Sequence, residues 1–410
     1  MHYDCFMEKE KLRKQHDIRT RLLEKGVNIP CPHAVEIGGD INPGRIASNV
    51  TIHTGCKITG AETSIGPNSV IGNETPATVH NCQLGRDVTL SGGFFSGATF
   101  LDGSSVGSGA HIRPGTILEE QASGAHTVGL KQTILLPFVT LGSLINFCDI
   151  LMAGGTSSKD HSEVGSSYIH FNFTPHQDKA TASLVGDVPR GVLLDQAPIF
   201  LGGQGGLVGP CRIEYGTVIP AGLVCRKDVK EADKIHIPQS LRSGSIAYRQ
   251  GVYKSVKRII QRNLEYIGNL QALKAWYTHI RPMFTRDSFD GFTLNGGLAN
   301  LDTALKERIK RLGDLAAKFE YSLSELAKIH ETLPEFANQQ QHFMDNWDTL
   351  KPKLIAPSDI LPPESLISEL KTKSSDNYIA AVQSLQEPIK TDTTKWLTAI
   401  VGHYLYQYSI

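Results

Sequence analysis

Aliphatic side chains recur along this chain at every sixth position. Leu201, Leu207, Ile213 and Ile219 keep the spacing for four steps, and Phe100, Val106, Ile112 and Leu118 for another four. Ile46, Ile52 and Ile58 keep it for three, and Ile65/Ile71 and Leu84/Leu90 restart it in shorter runs. Six is neither the 3.6-residue period of a helix nor the two-residue period of a strand. It is the spacing of a hexapeptide parallel β-helix, in which the chain winds round a triangular prism and each side sends one aliphatic residue into the core. The residue after the aliphatic is often small, as at Ala47, Gly66, Gly72, Gly85, Gly107 and Gly202, and is expected to turn the corner without a Cβ clash. Breaks in the spacing near 73–83, 154–163 and 186–198 read as loops leaving the prism, the clearest being Ala153–Asp160.

The pattern changes at both ends. Residues 1–27 mix charges with Phe6, Leu12, Ile18 and Leu22, which predicts one amphipathic helix ended by Gly26. Residues 28–240 carry the sixfold spacing and are rich in Gly, Thr, Ser and Val. After Pro238 glycine falls and Lys, Glu, Gln and Leu rise, so 241–410 is predicted to be an α-helical domain. Leu298, Leu301, Leu305, Ile309, Leu312, Leu315 and Phe319 form one apolar stripe on a long helix. Further helices are predicted at about 243–279, 323–347, 363–386 and 391–407, separated by prolines. The terminal helices are expected to cap the open prism ends or to pack along its side, since bare strand edges invite aggregation.

Composition narrows the function classes. Lys plus Arg equals Asp plus Glu, at 41 each, so net charge points to neither nucleic acid nor membrane. No run of 18 apolar residues is present to span a bilayer, and the N-terminal residues lack the apolar stretch of a signal peptide. Seven scattered cysteines with no CxxC pair fit a reducing, cytoplasmic compartment.

The segment from 111 reads His-Ile-Arg-Pro-Gly-Thr-Ile-Leu-Glu-Glu. It is followed by Leu130-Lys131, Leu141-Gly142-Ser143-Leu144, Ile169-His170-Phe171-Asn172-Phe173, and Phe200-Leu201-Gly202 through Val218-Ile219-Pro220-Ala221-Gly222. This resembles the C-terminal half of the GlmU family of bifunctional bacterial enzymes, over about residues 100–230. That family couples a glucosamine-1-phosphate acetyltransferase to an N-acetylglucosamine-1-phosphate uridyltransferase. The resemblance implies a mainly β fold, a left-handed parallel β-helix of hexapeptide repeats, and assembly as a homotrimer with sites between prisms. It implies a sugar phosphate or nucleotide sugar such as UDP-N-acetylglucosamine as ligand, and acetyl-CoA or another acyl-CoA as donor. The family's other half opens on a Gly-rich loop ending in Gly-Thr-Arg-Met. No such loop occurs here and residues 1–26 are too short to hold that half, so uridyl transfer is not expected.

Carried over position by position, the resemblance makes Arg113 and Lys131 the pair that binds the substrate phosphate. Two cations one coil apart suit that role through charge-assisted hydrogen bonds. Asn146, Glu163, Asn172 and Lys179 fall at or beside sugar-contacting positions, with Asp178 standing where the family has its lysine. The family's catalytic base is a His at the position of Ser143, and its orienting carboxylate lies at Gly129, so both are replaced. Acetyl transfer to an amine needs a base to take a proton. His170 and His176, with His161 nearby, are therefore the candidate replacement bases. Asp160, His161, His170, His176 and Asp178 match no established metal-ligand spacing, and no metal is expected. Two readings stand: an acyltransferase with a rebuilt base, or a nucleotide-sugar-binding, regulatory or scaffold β-helix that has lost acetyl transfer.

Overall fold

The computed structural model describes residues 2–172, 174–239, 243–254, 256–374 and 377–408, and side chains from Arg13 onward. Phe6, Leu12 and Phe173 thus lie outside the described side chains. The chain forms a parallel β-helix of about ten turns, with a helix before it and a helical region after it.

Three ladders of short parallel strands make the three faces. The first face runs from Glu36–Ile37 through Lys57–Thr59, Ala77–His80, Gly93–Ser96 and Ala110–Ile112 to Val224–Cys225. The second runs from Ser64–Ile65 through Gln83–Leu84, Ala98–Phe100 and Thr116–Leu118 to Arg212–Ile213. The third runs from Thr51–Ile52 to Val218–Ile219. Strands Gly129–Leu135 and Asn146–Met152 continue round the corner from the first face to the second. Gln132 and Asp149 sit in that corner with left-handed φ of 52° and 61°.

The sixfold residues are the core. All four of Leu201, Leu207, Ile213 and Ile219 are fully buried, as are Ile46, Ile52, Ile58, Ile65 and Ile71. Each such side chain contributes roughly 2 kcal/mol on burial. The small residues after the aliphatics divide in purpose: Gly72 turns the chain as expected, with φ 77°, and others stay small for the neighbouring coil. Gly66 and Gly202 do not take a left-handed conformation. A Cβ on Gly202 would stand 2.3 Å from the backbone nitrogen of Ala221, and one on Gly66 would stand 2.3 Å from the Gly85 carbonyl oxygen. These two glycines make room for the next coil. The left-handed turn falls later, as at Asn68, with φ 63°.

The three breaks differ in kind. Gly155–Ser157 and Asp160–His161 form a small antiparallel hairpin that leaves the prism, as predicted. Of 73–83, residues Ala77–His80 return to the first face as a strand. The 186–198 break is no external loop: it holds the short helix Val188–Gly191, and Val188, Val192, Leu193 and Leu194 are buried. Their apolarity made them core rather than loop. The histidine-bearing loop expected after Asn172 is also present, between Phe171 and Ser183.

Helix α1 (His2–Glu24) ends at Gly26, whose φ of 94° lets Val27 N–H donate back to the Leu22 carbonyl. Ile18 and Leu22 join the prism core. After the prism, α2 (Val256–His279) begins later than the predicted 243. It is followed by α3 (Ser288–Ala327), which carries the predicted stripe with Leu301, Leu305, Ile309, Leu312, Leu315 and Phe319 buried. Then come α4 (Glu335–Ile355), α5 (Glu364–Thr372), α6 (Tyr378–Gln383) and α7 (Glu387–Leu405). Asp287 caps α3 by accepting from Phe289 N–H and Asp290 N–H.

These helices lie along the second face, and one continuous core joins α1, the prism and the helical region. The strands beneath explain why. On the third face, polar outward residues alternate with the core aliphatics: Thr51-Ile52, Thr89-Leu90, Ser105-Val106. On the second face, Ile117-Leu118, Ile134-Leu135 and Ile150-Leu151-Met152 are apolar on both sides and wholly buried. Such strands need cover on both sides. Asn300 of α3 accepts from Gly115 N–H at 2.9 Å and donates to Thr99 Oγ1 at 2.9 Å. Arg281 and Tyr277 both reach the buried Glu119, at 2.8 Å each.

Candidate functional site

Register places Arg113 and Lys131 one above the other. His111 pairs with Gly129 and Ile112 with Leu130, so the next residues, Arg113 and Lys131, face out from adjacent coils about 4.8 Å apart. Lys131 pairs in turn with Cys148. Among the described residues, no carboxylate lies within ion-pair distance of Arg113, Lys131 or Lys179. Arg113 Nη2 reaches Cys148 Sγ at 3.8 Å. Burial and the neighbouring Asp149 push the Cys148 thiol up, while Arg113, Lys131 and Lys179 all oppose that shift. Arg113, Lys131 and Lys179 thus all lie within electrostatic reach of one corner of the prism.

The floor of that corner is built from the helical region. Arg308 of α3, almost wholly buried, donates to Asp149 Oδ1 at 2.8 Å and to the Lys179 carbonyl at 3.2 Å. Asn172 Nδ2 donates to the other Asp149 oxygen at 3.4 Å. The Asp149 charge is thus taken up by Arg308 and Asn172. Glu307, on the same turn of α3, is held below the usual carboxylate range. Burial opposes that shift, and it is outweighed by Arg311, Arg308 and Lys131.

A second cluster lies on the corner between the third face and the first. Ser143 Oγ is 2.9 Å from His126 Nδ1, and Ser143 N–H donates to Ser166 Oγ at 3.2 Å. The three residues stack because Gly124 pairs with Leu141, and Leu141 stands beside Val164. From this corner the strand beginning at Gly129 leads to Lys131.

No family model matches the chain. It is 28% identical over 234 residues to the bifunctional protein GlmU of Nitratidesulfovibrio vulgaris (strain DP4), a stretch that covers 54% of this chain and 45% of that protein. The bifunctional protein GlmU of Pseudoalteromonas atlantica is 26% identical over 223 residues, 53% of this chain and 43% of the relative. That of Thermotoga petrophila is 28% identical over 214 residues, 51% and 41%. These matches and the parallel coils agree on one fold. The chain carries a GlmU-like hexapeptide-repeat domain. It spans less than half the length of the curated relatives it matches.

Within the GlmU-like domain, the two candidate bases are not placed to serve a ligand on the surface. His170 is buried. Its Nδ1 donates to the Cys148 carbonyl at 2.5 Å, and its Nε2 accepts from Ser183 Oγ at 2.8 Å. Burial pulls its pKa down to about 4, so the ring stays neutral and fully engaged. His176 Nδ1 accepts from Gly251 N–H at 3.0 Å, and its ring packs against Tyr248 and Tyr253. His170 is fastened inside the fold and His176, half-buried, has its Nδ1 lone pair taken by Gly251.

The other candidates divide between corners. Asn172 and Lys179 lie beside the cation corner. Asn146 is exposed on the first face, in register with Gly129. Glu163 pairs with Thr140 and Phe200, which puts it on the third face, away from Arg113 and Lys131 within one chain. Asp178 is buried and accepts from Thr174, Ala180 N–H and Tyr253, a structural role. His161 donates to the Ser158 carbonyl in the hairpin. Among the described residues no three His, Cys, Asp or Glu side chains are placed to hold a metal ion. No described helix is long and apolar enough to cross a membrane.

Sequence reasoning missed His126. The signal was present: it lies 17 residues before Ser143, one coil, so the imidazole stands directly beside the position where the family has its base. It also missed Arg308, which sits nearly 200 residues from Arg113 and has no local mark of its role.

Proposed function

We propose that this chain binds a sugar phosphate or nucleotide sugar, UDP-N-acetylglucosamine being the first to test. The anionic group would sit on Arg113, Lys131 and Lys179. The observation that carries this reading is the grouping of these three cations round Cys148 with no carboxylate within ion-pair distance among the described residues. An unpaired cationic corner is a standing site for a phosphate. Asn172, held by Asp149, stands at its edge to meet a sugar hydroxyl. The likeness to GlmU proteins supports a transferase-type site, an acyl-CoA donor, and a homotrimer in a reducing cytoplasm, where the six described cysteines remain thiols.

In the acyltransferase form of this proposal the base is His126. With Nδ1–H donated to Ser143 Oγ, Nε2 keeps its lone pair for an incoming proton. The sugar amine nitrogen attacks the thioester carbonyl and the amine proton passes to His126. The C–S bond then breaks, and the departing CoA thiolate takes that proton back from the imidazolium to leave as the thiol. Ser143 is a positioning residue that fixes the imidazole one coil above.

The ligand part is tested by thermal unfolding. UDP-N-acetylglucosamine or glucosamine 1-phosphate at about 100 times its Kd is expected to stabilise the protein by about 2.7 kcal/mol. Arg113→Ala is expected to abolish the shift, and an unchanged shift in that variant overturns the assignment. The chemical part is tested by CoA release from acetyl-CoA with a panel of amino-sugar phosphates. His126→Ala is expected to lower turnover by 10²–10⁴-fold while leaving the thermal shift intact. The second reading, ligand binding without acyl transfer, is favoured by the replacement of the family base at Ser143. It is supported if binding is retained and no CoA is released by the wild-type protein.

A further inference from the structure

Away from the prism corners, helices α2, α3 and α4 enclose a groove with a volume of about 530 Å³. Leu305, Ile309, Trp347 and Ile355 form its floor and walls. Gly313 is what lets the indole lie flat on α3, because a Cβ there would stand 2.8 Å from Trp347 Cζ2. Phe343 backs the indole at a centroid separation of 5.8 Å. Ile355 remains 59% exposed at the mouth.

Four lysines rim this apolar floor. Lys274 is taken by Asp302 at 2.6 Å and Lys310 by Asp314 at 2.9 Å. Lys306 and Lys351 have no carboxylate within ion-pair distance among the described residues. The groove therefore presents an apolar bed with two uncompensated ammonium groups at its edge. Its complement is a molecule with an apolar tail and an anionic head.

We propose that the groove binds a single-chain anionic amphiphile, a fatty acyl chain laid along Trp347 with its head group between Lys306 and Lys351. Charge favours a chain over an acidic amphipathic helix: two of the four rim lysines are already taken by Asp302 and Asp314, which leaves two ammonium groups for one anionic head. The groove volume falls in the range of small-ligand pockets, roughly 300–1,000 Å³. The same chemistry is offered by a free fatty acid and by an acyl chain on a thioester carrier. The site is independent of the sugar-phosphate reading.

Trp347 supplies the readout, since the other two tryptophans, Trp276 and Trp396, are buried against each other. The full-length protein is titrated with dodecanoate, dodecanoyl-CoA and dodecanol below their aggregation limits, following tryptophan emission. A saturable blue shift with dodecanoate or dodecanoyl-CoA is expected, absent in Trp347→Phe. Binding of dodecanoate alone assigns a free fatty acid, and of dodecanoyl-CoA alone a carrier-bound chain. The double variant Lys306→Glu/Lys351→Glu is expected to weaken binding at least tenfold at an unchanged melting temperature. Three results overturn the proposal: no emission change with either anion, dodecanol binding as tightly as dodecanoate, or unweakened binding to the charge-reversed variant. A shift produced only by an acidic amphipathic peptide also overturns it, in favour of a protein partner.

Discussion

At the scale of single residues, position in the coil decides what a histidine does. His170 occupies an inward column, pairing with Leu207 in the next coil, and His126 occupies an outward corner. The consequence for His170 is a pH-dependent stability. Its folded pKa is lowered to about 4, against about 6.5 for an unperturbed imidazole. The unfolded chain therefore takes up the proton first as pH falls. Stability is full above about pH 6.5 and is lost progressively toward pH 4, by about 3 kcal/mol in total. Urea unfolding from pH 7.5 to 4 should show a shallower decline in His170→Gln than in the wild type. Equal slopes would show that His170 titrates normally. The inward setting of His170 was legible, because the sixfold count steps from Val164 to His170. Reading it as a base required setting that count aside. The partnership of Asp149 with Arg308 was not legible, because no local pattern links a corner residue to a helix 159 positions later.

At the scale of elements, the coil is a repeating frame whose tolerance is set by the closest approach of one turn to the next. The sixfold runs were legible, since each of their members recurs at fixed spacing and each is buried, whereas Val79, Phe95 and Phe147 join the core outside those runs. The role of the small residues was only half legible. Spacing marked them, but a sequence does not distinguish a residue kept small for its φ from one kept small for its neighbour. Gly202 separates the two ideas. If it served only a turn, alanine would be nearly neutral, because its φ is not left-handed. Since a Cβ would meet the Ala221 backbone, Gly202→Ala is expected to cost about 1–3 kcal/mol by forcing coils apart. Ser123→Ala, on an outward position of the same face, should cost less than about 0.5 kcal/mol. Chemical denaturation of the two variants side by side makes the comparison.

At the scale of the whole molecule, the change of composition near 240 marked where helices take over, but not where they would lie. The cue was in the strands. Ile117-Leu118, Ile134-Leu135 and Ile150-Leu151-Met152 break the polar–apolar alternation and mark one face as covered. The partner surface carries its own sign, the Gly296-Gly297 pair of α3. A Cβ on Gly296 would collide with Gln83 at 2.3 Å, and one on Gly297 with Tyr277 at 2.4 Å. A chain ended after residue 239 is therefore expected to expose a contiguous apolar wall and to aggregate. Light scattering at matched concentration tests this. A monodisperse, cooperatively melting truncation would show that the helices are a separable body.

The covered face also fixes how many neighbours the prism can accept. A three-sided column has three ridges, and the helices flank two of them. The one left bare is the ridge of His126, Ser143 and Ser166. Lateral contact through the other two ridges is thereby blocked by the helices. The helical region after residue 240 thus decides which ridge of the prism stays open among the described residues.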